Sequence, residues 1–123
     1  MTLAERCDAI EEAYEFMLAY AAQGLAEDAG SSSGAQIREF LRQSIKALTG
    51  IADACSAEDI DNSFIRVVER DAESSLAALS MVLAQPAISS QLIDNLNASI
   101  HLRALLTDLF LLDEILKLQL VRS

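Results

Sequence analysis

Apolar residues recur along this chain at alternating steps of three and four, the spacing of a helix with one buried stripe. In the first run Leu3, Cys7, Ile10, Tyr14, Met17 and Ala21 share a face, which predicts a helix over about 3–25. Thr2 stands where an N-cap belongs, and Glu5 three residues later completes a capping box. The second run, Ile37, Leu41, Ser44, Leu48, Ile51 and Cys55, predicts a helix over about 35–55, with Ser33 and Gln36 at capping-box spacing. Gly50 either weakens that helix by about 1 kcal/mol relative to Ala or marks a close helix contact. Ile65, Val68, Ala72, Leu76, Leu79 and Leu83 form the third stripe, predicting a helix over about 57–85. Ser56, Asp61 and Ser63 are its candidate caps, and Pro86 ends it. The Gly- and Ser-rich stretch 27–34 reads as a flexible loop.

The fourth stretch, 88–120, has no Gly or Pro and predicts the longest helix, with a break near 95–99 as the alternative to its projecting beyond its neighbours. It carries two apolar stripes. On a wheel with Leu102 at zero, Leu105, Leu106, Leu109, Phe110, Leu112, Leu116 and Leu120 form a broad face from about 280° to about 80°. Leu111, Ile115 and Leu118 fall on the opposite side, near 160–220°. One face fills the domain core, so the other wants a second partner, which makes Leu111, Ile115 and Leu118 the interface candidates. Asp113 lies inside the broad face, where a lone carboxylate needs a positive or hydrogen-bonding neighbour.

β-branched residues are scattered and never alternate over a strand's length. The expected fold is therefore all-α. The economical arrangement is a single domain over 1–123, an antiparallel up-down-up-down four-helix bundle with a long C-terminal helix. The net charge of −10 disfavours nucleic acid and anionic membranes as partners. Charges in the first turns leave no secretory h-region, and Arg103, Asp108 and Asp113 interrupt the most apolar stretch too often for a membrane span. The expected location is cytoplasmic.

Candidate chemistry is sparse. His101 is the only histidine, and Asp94, Asn97 and Asp108 join it in a polar strip down one side of the fourth helix, with Arg103 nearby. No Glu-x-x-His pair exists for a di-iron site, and one His with two distant Cys is too few ligands for zinc. In architecture and in carrying one helical histidine the chain resembles phosphotransfer domains, which implies a reactive His101. That family places a Lys and a small residue after the His, whereas here the run is His101-Leu-Arg-Ala-Leu-Leu. Cys7 and Cys55 sit on apolar stripes. A hairpin of the first two helices brings them to one level of the bundle, close together but unbonded. Glu11, Glu12 and Glu15 read as a solvated face. No catalytic constellation or cofactor motif is present in the sequence, so the expected function is non-enzymatic, acting through protein–protein association as a homodimer through 88–120. The alternatives are an acidic chaperone or adaptor holding a partner's amphipathic helix, and a ligand-binding or phosphotransfer module centred on His101. Small acidic helical secretion chaperones are similar in size and charge, which is what implies the adaptor reading.

Overall fold

The computed structural model describes the backbone of residues 1–122 and the side chains through Leu120. All its regular elements are helical: α1 (Leu3–Ala21), α2 (Ser32–Leu48), α3 (Ile51–Ser56), α4 (Asn62–Leu83), α5 (Ser90–Ala98) and α6 (Ile100–Arg122). Six helices stand where four were expected, because two of the expected helices are broken. Gly50 adopts φ +84°, a left-handed conformation that ends α2 and starts α3 at a new angle. Ser99 turns to an extended ψ of 131° and separates α5 from α6 at the alternative break.

The helix starts follow the capping chemistry. Thr2 Oγ1 accepts from the Glu5 amide at 3.1 Å, while the Glu5 carboxylate accepts from the Thr2 amide at 2.9 Å. Helix α2 begins three residues before its expected start because Ser31, rather than Ser33, caps it, accepting from the Gly34 amide at 2.9 Å. Asp61 caps α4 through the Ser63 amide, so α4 starts at Asn62 and not near 57. Ser89 caps α5. At the other end, α1 stops at Ala21 and leaves Gly24, at φ +67°, in the connection; α4 stops at Leu83, ahead of Pro86.

Two arginines close helix ends from neighbouring elements. Arg6 on α1 donates to the carbonyls of Ala47 and Thr49, at 2.9 and 2.7 Å, where α2 runs out of intrahelical donors. Arg38 on α2 does the same for α4. It donates to the Leu83, Gln85 and Pro86 carbonyls at 3.1, 3.0 and 3.3 Å, and its Nε is paired with the Asp28 carboxylate. Asp28 also accepts from the Ile88 amide at 2.7 Å, so one carboxylate joins the α1–α2 and α4–α5 connections. The same two segments meet through Tyr20, whose hydroxyl donates to the Ile88 carbonyl, and Ser90, whose hydroxyl donates to the Tyr20 carbonyl, each at 2.7 Å.

Every member of the expected second stripe is buried, from Ile37 to Cys55. The first and third drift. In α1 the buried positions are Leu3, Cys7, Ile10, Ala13, Met17 and Tyr20, with Tyr14 and Ala21 only half-buried. In α4, Ser75 and Val82 replace Leu76 and Leu83. A 3.6-residue helix slides off a strict 3.5-residue seam over five turns, and each helix here packs against several partners. Helix α1 lies against α2, α5 and α6; α4 lies against α2, α3, α5 and α6. No helix is long and apolar enough to cross a membrane among the described residues.

Two glycines differ sharply in their surroundings. A Cβ on Gly34 would lie 1.7 Å from the Asp28 carbonyl oxygen, whereas one on Gly50 meets nothing nearer than an Arg6 nitrogen at 3.8 Å. Gly34→Ala is therefore expected to destabilise the fold by about 3 kcal/mol or more through displacement of the Asp28 backbone. Gly50→Ala should lose only the left-handed penalty of about 1–2 kcal/mol. Denaturant unfolding of both variants measures the difference, and equal losses would contradict the close packing of α2 on the 22–31 segment.

Candidate functional site

Helices α4 and α6 meet along a register set by three contacts. The Ser75 hydroxyl donates to the His101 carbonyl at 3.1 Å, the Asp71 and Asp108 carboxyls face each other, and Gln119 Nε2 donates to the Asp59 carbonyl at 3.1 Å. Phe64 and Val67 share the face of Asp71 by helical spacing, and Leu111 and Ile115 share that of Asp108. The α4 stripe of Phe64 and Val67 is half-buried, and the α6 stripe of Leu111 and Ile115 is exposed.

That α6 stripe is the expected second face. Leu111, Ile115 and Leu118 are 50, 39 and 62% exposed, and Phe110 and Leu120 add 51 and 75%. Of the broad stripe, Leu102, Leu105, Leu106, Leu109 and Leu112 are buried, but its last two turns run past the core and Leu116 is only half-covered. Asp113 has the positive neighbour it needs, Lys117 Nζ at 3.8 Å.

Asp108 is the unexpected member. It is only 6% exposed, and its Oδ2 is buried without a hydrogen-bond partner. Burial, and then the Asp71 carboxyl against it, raise its pKa to about 7. Burial strips the Asp108 carboxylate of water, and a second negative group nearby adds repulsion, so its charged form is disfavoured there. On a wheel Asp108 looks like part of a polar strip. The signal that could have found its real setting was its position beside Leu105, Leu109 and Leu112, together with a carboxylate of α4 on the same side.

The other strip residues separate. Asp94, His101 and Arg103 are exposed, whereas Asn97 is buried and donates to the Met17 carbonyl at 3.2 Å. The turn at Ser99 is the reason: Asp94 and Asn97 belong to α5 and do not continue the α6 wheel. His101 stands at the rim of a groove of about 290 Å³ between α4 and α5, lined by Ala78, Met81, Val82, Leu92 and Leu96. No cationic side chain is among its lining residues.

The thiols offer no nucleophile. Both are free and buried; burial raises Cys7 to about 12, helped by Asp113, Glu11 and Cys55, and raises Cys55 to about 11, helped by Glu58. The two thiols are not bonded to one another, and Cys55 is among the groups that act on Cys7. Glu11 does not lie on a fully solvated face. It is half-buried beside α6, and burial followed by the Asp113 charge raises its pKa. Among the described residues no three His, Cys, Asp or Glu side chains come together as a metal site. No family model matches this chain, and no curated protein or solved structure is significantly similar to it.

Asp108 makes stability depend on pH with a defined sign. Folded Asp108 binds its proton more tightly than the unfolded chain does, so the folded state is favoured at low pH and loses that advantage as pH rises from about 4 to about 7. Asp108→Asn puts a neutral amide in place of the buried carboxyl. It is expected to stabilise the fold by about 1–3 kcal/mol at alkaline pH and to change little near pH 4. Thermal melts across that range measure it, and a stabilisation independent of pH would show that Asp108 does not titrate across that range in the folded protein.

Proposed function

We propose that this protein is a non-enzymatic, cytoplasmic association module that works as a homodimer through the C-terminal half of α6. We read its scaffold as an antiparallel four-helix bundle in which α2–α3 and α5–α6 are each one broken arm. The observation that carries the functional reading is the exposure of Leu111, Ile115 and Leu118 on one side of α6, with Phe110 and Leu120 exposed on the other side of its last turns.

The charge distribution favours a second copy as occupant. A chain of net charge −10 repels itself almost everywhere, so two copies meet most easily where acids do not accumulate. On α4, Glu69 and Glu73 face the α3 side, where they line a pocket with Gly50, Ile51 and Asp53. By helical spacing it is Arg66 and Arg70 that flank the Val67–Asp71 stripe. On α6, Glu114 and Asp113 are both paired with Lys117. The face is apolar at its centre, with the arginines along its α4 edge. The buried free thiols suit a reducing compartment.

Replacing Leu111, Ile115 and Leu118 together by Ala should leave helix content unchanged and weaken self-association by about a hundredfold or more. Sedimentation equilibrium over a concentration series checks it. A wild-type chain that stays monomeric at every concentration would instead favour the adaptor reading, in which the same face awaits an amphipathic helix of another protein.

A further inference from the structure

We propose that the trough between α4 and α5 is a binding site for an uncharged aliphatic amphiphile, an alkyl chain with one hydroxyl or carbonyl at its end. It is separate from the exposed face of α6 and does not depend on the homodimer reading. Two adjoining hollows make up the trough. One, of about 290 Å³, runs from Leu92 and Leu96 to His101, and the other, of about 260 Å³, continues to Gln85 and Ala87 on the α4–α5 connection. They share Met81, Val82 and Leu92, so a single chain can lie along both. Together they reach the size of a small-molecule site, about 300–1,000 Å³.

The walls follow from helical spacing. Ala78, Met81, Val82 and Gln85 form one stripe of α4, and Leu92, Leu96 and Ser99 form one stripe of α5. Ala78 and Ala87 are too short to fill the space between them, and Met81 stands beside it 65% exposed. An alkyl chain laid there would cover apolar surface that water now touches. The trough turns polar only toward its ends. At one, neither the Ser99 hydroxyl nor the His101 ring makes a hydrogen bond among the described residues, and Asn95 uses only its Oδ1, on Gln91. A hydroxyl or carbonyl head would find donors and acceptors there, since a neutral imidazole offers one of each.

The absence of charge selects the head group. The chain has 9 Lys and Arg and 19 Asp and Glu, yet none of them lines either hollow. Asp94 points to the opposite side of α5 from the Leu92–Ser99 stripe by its spacing, and Glu73 lines the pocket on the α3 side of α4. Asp71 shares the α4 stripe but lies two turns before Ala78. The Arg38 guanidinium is engaged by Asp28 and by the carbonyls of Leu83, Gln85 and Pro86. A carboxylate or ammonium head would therefore lose water in the trough and gain no counter-ion, whereas a hydroxyl is satisfied by one or two hydrogen bonds.

The experiment is an NMR titration of the full chain at fixed pH with three probes of one chain length: octan-1-ol, octanoate and octylamine. The single histidine and the Met81 methyl report from inside the trough, and the buried Met17 methyl serves as the internal control. Octan-1-ol should move the His101 and Met81 signals saturably and leave Met17 in place, and the two charged probes should bind about tenfold or more weakly. Ala78→Phe, which fills the trough, should weaken octan-1-ol about tenfold or more. Met81→Lys places a cation at an exposed position on the wall, and should make octanoate bind more tightly than octan-1-ol. Shifts that never saturate, or that appear on α6 in place of His101 and Met81, would overturn the proposal. So would a charged probe that matches octan-1-ol on the wild-type chain. An unchanged order of the probes in Met81→Lys would also overturn it, whether or not Ala78→Phe folds.

Discussion

The fold is closed at one end by a single charged knot. Asp28, in the connection after α1, receives the guanidinium of Arg38 and the amide of Ile88, and Arg38 in turn covers three carbonyls where α4 ends. Neither group is left with a bare charge: Arg38 holds the Asp28 carboxyl below the ordinary carboxylate range, and the orphan acceptors at the α4 terminus are satisfied without solvent. Gly34 belongs to the same knot, since any side chain there would occupy the space of the Asp28 carbonyl. Breaking one member exposes unsatisfied partners on three segments distant in sequence. The register of α1, α2, α4 and α5 depends on it.

The rest of the core is apolar and forgiving, which leaves α6 as the element with an unresolved demand. Its first turns are buried by α4, α1 and α5. Its last turns extend past those neighbours and carry leucines on nearly every side. The chain places its buried acid at the boundary between these regions, and does so at Asp108, where α4 contributes a second acid instead of a counter-ion. A buried like-charge pair weakens a fold unless a proton is available to bridge it.

Much of this is legible in the residue pattern. The all-helical class, the capping box at Thr2 and Glu5, the Asp61 cap, the second buried stripe and the two-faced C-terminal helix all follow from local rules, because helical spacing and capping act within a few residues. The breaks are legible only as possibilities. Gly50 and the 95–99 region stand out in the sequence, yet whether a helix bends there depends on what its far side packs against. The stripe at Leu111, Ile115 and Leu118 is recognisable as spare apolar surface from its spacing, while the identity of its partner lies beyond any reading of one chain.

What the sequence alone determined is what local chemistry determines: helix periods, most caps, the apolar faces and the absence of any familiar catalytic or nucleotide motif. What only the tertiary structure decided is which distant polar groups meet. Asp28 with Arg38 and Ile88, Asn97 with the Met17 carbonyl, and Asp71 with Asp108 join residues 10 to 80 positions apart. Nothing in a hydropathy wheel distinguishes a polar residue that faces water from one that faces another helix. That distinction is set by the angle at which helices cross and by the turns between them. It made Asp108 a buried acid rather than one more carboxylate on a solvated strip.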